Sequence, residues 1–170
     1  MSIMQISRKV DYALRAAIYL AYQSDRRPCS VSEIAAREAI PKKFLEKIIQ
    51  DLIHHGLVRS TRGAQGGYAL AREAEQVTFK DVIEAIEGPV SLNVCVGDAG
   101  DAIDCCAQSP RCSMLWVWRE AQKRVMEVFA TTTLAAVSQR PTAMPGIVDA
   151  AERLRAATLG PTASSDGLVG

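Results

Sequence analysis

The chain lacks any apolar run near the ~18–20 residues that a membrane-spanning helix requires. Its first residues show no basic, then apolar, then small-residue succession of a secretory leader. It has no internal repeat and almost no net charge, with 20 Lys+Arg against 19 Asp+Glu for a formal +1. It also lacks a Ser/His/Asp set, a paired-carboxylate site and a glycine-rich nucleotide fingerprint. The two histidines, His54 and His55, are adjacent at the end of a predicted helix, where a cation suits the helix dipole. These absences leave no catalytic constellation and exclude membrane-spanning and collagen-like chains. With 48% hydrophobic and 23% charged residues, wholly disordered chains are excluded as well. The expectation is a cytoplasmic protein that is not an enzyme, and its 170 residues can build a core without disulfides.

Cysteine is the residue in unusual supply. Cys29 stands alone, whereas Cys95, Cys105, Cys106 and Cys112 fall within 18 residues. In a chain without a leader, such a group points to metal binding or thiol redox chemistry rather than to a disulfide framework. Cys29 reads as a small, partly buried side chain.

Periodicity predicts a mainly α-helical chain with a small β-hairpin. Val10, Leu14, Ala17, Ile18 and Ala21 mark a helix over 9–22. Ser30-Val31-Ser32-Glu33 is a capping-box sequence opening a short helix over 31–37. Pro41 suits the first position of a third helix, which ends near His55 before Gly56 and turns Phe44, Leu45, Ile48, Ile49 and Leu52 to the core. Two short strands, 57–61 and 68–70, flank the glycine-rich run 62–67 and make a hairpin, with Tyr68 packing at its base. Thr78 and Asp81 form a second capping box and open a helix running to Gly88-Pro89. Residues 90–111 read as a loop. A long helix over 112–137 carries Leu115, Trp118, Gln122, Val125, Phe129, Thr132 and Ala136 at the spacing of a helix–helix seam, with Trp116 and Trp118 as core or dimer anchors. Beyond Gln139 the chain becomes rich in Pro, Gly, Ala and Ser, with a weak helix near 147–157 and a disordered tail.

Two short helices joined by a tight turn and followed by a hairpin form a winged helix-turn-helix. Its second helix would enter a DNA major groove and present Lys42, Lys43, Glu46 and Lys47. The hairpin offers Arg59, Arg62, Gln65, Gly66 and Gly67 for phosphates or the minor groove. Residues 41–72 hold six Lys/Arg against two acids, a local +4, and residues 89–110 hold three acids and no base. The near-zero average therefore conceals a basic reading head and an acidic loop.

Asp11-Tyr12-Ala13-Leu14-Arg15, the string from Gly56-Leu57-Val58 through Arg62-Gly63-Ala64-Gln65-Gly66-Gly67-Tyr68-Ala69-Leu70, and the late cysteines resemble the Rrf-two type of winged-helix regulators. The resemblance spans about residues 1–138. It implies a homodimer that reads a palindromic operator, usually as a repressor, with an iron–sulfur cluster on three cysteines of the loop. Carried onto this chain, the ligands are Cys95, Cys106 and Cys112, with Cys105 as an alternative thiol. The interval from Cys95 to Cys106 is longer than the family's usual one. The branch that governs cluster assembly uses a histidine where Leu115 stands here. The nitric-oxide-sensing branch takes an aspartate from the partner subunit, and Asp11 occupies that position; the other reading pairs Asp11 with Arg15 one turn on. The sensed signal would be nitric oxide, redox state or iron/cluster status, and the cluster [2Fe-2S] or [4Fe-4S]. The implied organisation is a DNA-binding domain over 1–89, a cluster loop over 90–111, a dimerisation helix over 112–138 and a flexible tail over 139–170. A cluster-free thiol or zinc regulator stays open, although the loop lacks the C-x₂₋₄-C pairs zinc prefers. So does an electron-transfer protein, which would leave the basic hairpin without a role.

Overall fold

The computed structural model describes residues 6–23, 27–63, 66–93, 95–96 and 111–139. The chain divides into two compact units, Met1–Gln139 and Arg140–Gly170. The second lies outside the described residues, and so do the tail and weak helix expected there. The first is mainly helical with one antiparallel hairpin, the winged-helix arrangement expected from the sequence.

Helix α1 (Arg8–Ala21) begins where the Ser7 hydroxyl accepts a hydrogen bond from the Val10 amide at 3.3 Å. Its buried stripe is Val10, Ala13, Ala16, Ala17 and Leu20. Of the expected positions, Val10 and Ala17 are buried, whereas Leu14, Ile18 and Ala21 are only partly so. Helices α2 (Val31–Glu38), α3 (Lys42–His54), α4 (Phe79–Glu87) and α6 (Leu134–Ser138) all pack on α1, and alanines admit that many neighbours at close range.

Local chemistry sets the helix starts. Thr78 and Asp81 make a complete capping box, with Thr78 Oγ1 accepting from the Asp81 amide at 3.1 Å and Asp81 Oδ2 accepting from the Thr78 amide at 2.8 Å. The Ser30 box is only half made. Ser30 Oγ accepts from the Glu33 amide at 3.1 Å, but the Glu33 carboxylate turns to Arg27 at 2.5 Å and the Tyr19 hydroxyl at 3.0 Å. The tight turn between α2 and α3 places Ala39 at φ 51°, a left-handed conformation that disfavours a side chain. Pro41 sits just before α3, and its carbonyl accepts the Phe44 and Leu45 amides.

Strands β1 (Val58–Thr61) and β2 (Gly67–Leu70) pair from Val58↔Leu70 to Thr61↔Gly67. A reciprocal pair of hydrogen bonds, Cys29 N–H to Tyr68 O at 2.9 Å and Tyr68 N–H to Cys29 O at 2.8 Å, fastens β2 to the segment before α2. Cys29 is fully buried rather than partly so.

The single long helix expected over 112–137 is two helices. Helix α5 (Leu115–Thr131) ends in a run of three threonines, whose β-branched side chains are weak helix formers. The Thr132 carbonyl accepts the Phe79 amide at 2.9 Å, and the Leu134 amide donates to the Val77 carbonyl at 2.8 Å. Thr133 then caps α6, its hydroxyl accepting from the Ala136 amide. Leu134 enters the core at 0% exposure, so α6 belongs to the winged-helix body. Among the expected seam positions Ala136 is exposed, and Thr132 lies in the break.

Leu134→Ala is expected to destabilise the chain by about 2–5 kcal/mol, since it leaves a cavity in a closed core. Ala39→Gly is expected to stabilise it by about 1 kcal/mol by relieving the left-handed conformation. Urea denaturation of the two variants measures both effects.

Candidate nucleic-acid interface and cysteine loop

On α3 the buried residues are Leu45, Ile48, Ile49 and Leu52. A helix turns about 100° per residue, so Lys43, Glu46, Lys47 and Gln50 fall together on the opposite face. All four are exposed, and with Val31 and Tyr68 they line an open groove of about 630 Å³ between α3, the start of α2 and β2. Lys42 is exposed at the first position of α3. Lys42, Lys43, Lys47 and Arg62 form no ion pair among the described residues, whereas Lys9 reaches Asp51 at 2.8 Å and Arg15 reaches Glu38 at 3.5 Å.

Gln50 was not anticipated from the sequence, although its i+3 and i+7 spacing from Lys47 and Lys43 was the available signal. Phe44 departs from its expected place in the core. It is 55% exposed and meets the Tyr12 ring edge-on, with centroids 6.5 Å apart. It lies about one residue's rotation from the buried stripe, on the flank facing α1.

The wing holds its arginines differently. Arg59 is exposed but its Nε donates to the Leu70 carbonyl at 3.4 Å, while Arg62 stands exposed where β1 ends. Gly66 and Gly67 have an intramolecular reason to be glycine. A Cβ on Gly66 would lie 2.3 Å from the Thr61 carbonyl oxygen, and one on Gly67 would lie 2.6 Å from that of Cys29. Gln65 lies outside the described residues.

Cys105 and Cys106 also lie outside them. Cys95 and Cys112 are free thiols of intermediate exposure. Among the described residues, no group of three or more His, Cys, Asp and Glu side chains is placed to hold a metal ion. Asp11 is exposed on α1, its carboxylate 3.7 Å from the Arg15 guanidinium. Arg15 also donates to the Glu38 carbonyl and stands over the Tyr12 ring at 6.0 Å. Leu115 opens α5 and is partly buried. His54 and His55 lie at the C-terminal end of α3, as the dipole argument expects, and His55 Nδ1 is 2.9 Å from the Asp51 carbonyl.

Helix α5 has no buried residue. Met114, Val117 and Val128 are exposed, and Trp116 is 70% exposed, so this tryptophan is not a core anchor within its own chain. No described helix is long and apolar enough to cross a membrane.

Comparison with known proteins decides the family. The family Rrf2, described as iron-dependent transcriptional regulator, matches residues 6–140. The chain belongs to the Rrf2 family. The regulator IscR of Sodalis glossinidius is 33% identical over 132 residues, covering 78% of this chain and 77% of that protein. Protein rrf2 of Nitratidesulfovibrio vulgaris is 33% identical over 135 residues, covering 78% of this chain and 85% of that protein. The solved structure of CymR (YrzC), the global cysteine regulator of B. subtilis, superposes with a TM-score of 0.65 at 32% identity, over 79% of this chain and 96% of that one. Rrf2 membership makes the chain a transcriptional regulator with a DNA-binding winged helix.

Within this Rrf2 fold, Cys29 is set apart from the loop cysteines. Burial pushes its thiol pKa up, and the nearby Glu33 carboxylate adds to the effect. Under brief iodoacetamide treatment of the native protein, Cys29 should stay unmodified while Cys95 and Cys112 react; peptide mass spectrometry reads the difference. Glu33 is held below the ordinary carboxylate range, first by its hydrogen bond from Arg27. A depressed carboxylate stabilises the folded state above its unfolded pKa, and that contribution is lost as pH falls through the lowered value. The stability lost below about pH 4.3 should therefore shrink in Glu33→Gln, as urea midpoints measured against pH would show.

Proposed function

We propose that this chain is a homodimeric repressor whose operator binding is governed by an iron–sulfur cluster held in the cysteine loop. The observation that carries the regulatory part is the pair of free, half-buried thiols Cys95 and Cys112 at the two sides of the loop, the second three residues before α5 begins. Thiolates are the usual ligands of such clusters, and the donor chemistry here fits one. Cys95, Cys106 and Cys112 would hold it, with Cys105 as the alternative thiol and Asp11 of the partner subunit as the fourth ligand. When bound, the cluster supplies sensitivity to nitric oxide, redox state or iron supply. The resemblance to IscR supports this reading.

The chain's own residues supply the rest. Lys42, Lys43, Lys47 and Arg62 neutralise phosphates, and Glu46 lies among them on the groove-facing stripe with Gln50, whose amide can pair bidentately with adenine. Arg59, Gln65, Gly66 and Gly67 would contact the DNA backbone beside the recognition helix. The exposed apolar residues of α5 form the dimer seam, within residues 112–138. A two-fold dimer places its recognition helices about 34–36 Å apart on a palindrome, so a small rotation at α5 changes operator affinity.

A second reading is favoured by the similarity to CymR, a cysteine regulator: the same loop acts as a cluster-free thiol switch. One set of measurements separates the two. Cys95→Ser, Cys106→Ser and Cys112→Ser should each abolish iron content and visible absorbance of protein purified without oxygen. Retained iron in all three variants would overturn the ligand set. A colourless wild type whose DNA binding responds to a thiol oxidant would establish the second reading.

The reading head is tested independently of the loop. Lys43→Ala and Arg62→Ala should each weaken DNA binding and lower the salt slope by about one, with cluster content unchanged. Unaltered binding at every salt concentration would remove this face from the interface.

A further inference from the structure

Spacing places Gln122 among the seam positions of α5, yet its amide is engaged within its own chain. The Gln122 Oε1 accepts a hydrogen bond from the Leu92 amide at 2.9 Å. Its Nε2 donates to the Val90 carbonyl at 2.7 Å. The donor and acceptor pattern settles which end of the amide is oxygen, and two bonds fix both the position and the direction of residues 90–92 on the helix. One bond would leave the segment free to pivot.

The segment borders a cavity of about 280 Å³, lined by Ile83, Pro89, Val90, Leu92, Val125 and Phe129 among others. Space beside the segment gives it room to shift once the amide lets go.

Both described loop cysteines therefore connect to α5 within three residues. Cys112 joins it through the chain itself, the Leu115 amide donating to the Cys112 carbonyl at 3.3 Å. Cys95 follows Leu92, the residue that Gln122 holds. The two points of attachment, Leu115 and Gln122, are about 10 Å apart along the helix axis. A change that draws the loop cysteines together or releases them loads that stretch of α5, which carries the exposed Trp116 and Val117.

We propose that Gln122 is the positioning residue that couples the state of the cysteine loop to α5, by clamping the backbone of Val90 and Leu92 to the helix. The proposal rests on the reading above only in taking the loop as the sensor. It holds for a cluster and for a thiol switch alike.

Amide hydrogen exchange on the full chain tests it, with N-ethylmaleimide capping of the loop cysteines as the perturbation and Cys29 protected by burial. In the wild type, capping should change exchange both in residues 88–96 and in residues 115–125. In Gln122→Leu, Leu92 should lose amide protection before capping, and the response of 115–125 to capping should shrink to the part that Cys112 transmits through the chain. Gln122→Glu keeps the acceptor for the Leu92 amide and should retain part of the response, which a merely structural loss would not restore. An equal response of α5 in the wild type and Gln122→Leu overturns the clamp, and so does an α5 that is insensitive to capping in the wild type. Failure of the cluster reading looks different: the wild type takes up no iron, yet capping still reaches α5.

Discussion

The structure depends on the narrowness of α1's buried face. Val10, Ala13, Ala16, Ala17 and Leu20 form a stripe against which α2, α3, α4 and α6 all pack, and three of its five members are alanines. A larger side chain at these positions would push several helices outward together, because a close-packed interior transmits a local increase in volume. The direction in which α3 presents its lysines is thus set from behind, by the alanines on which α3 rests.

From that centre the molecule separates into a closed body and open functional edges. The body is sealed late in the chain, when Leu134 returns to the core after α5 and backbone hydrogen bonds join Val77 and Phe79 to residues 132–134. At one edge, the outer stripe of α3 and the wing leave cations exposed, unpaired among the described residues; the Cys29–Tyr68 pairing holds the wing beside them. At the other, α5 has no buried residue and exposes Trp116, Val117 and Val128, and Gln122 ties the start of the cysteine loop to it.

Much of this was legible in local sequence. The Thr78–Asp81 box, the helix end at Gly56, the hairpin about its glycines and the basic stripe of α3 depend on interactions a few residues long. The departures share a cause of the opposite kind. Glu33 leaves its capping position because Arg27 and Tyr19 are brought to it by folding. Phe44 follows the apolar count but lies exposed on a flank beside Tyr12. The break at Thr132 is confirmed by hydrogen bonds to Val77 and Phe79, more than fifty residues earlier. Of the candidate ligands, Cys95, Cys112 and Asp11 have described positions, while Cys105 and Cys106 do not.

The sequence by itself determined the winged-helix class, the family and the charge separation hidden in a near-zero total. Helical period, caps, turn glycines and local charge are short-range properties, readable wherever the residues stand. Tertiary structure decided which face of α1 is the core, where the last long helix ends, why Gly66 and Gly67 must lack side chains, and that Gln122 faces its own chain. Each of those outcomes depends on a partner distant in sequence, and spacing alone cannot say which distant groups will compete for the same hydrogen bond or the same volume.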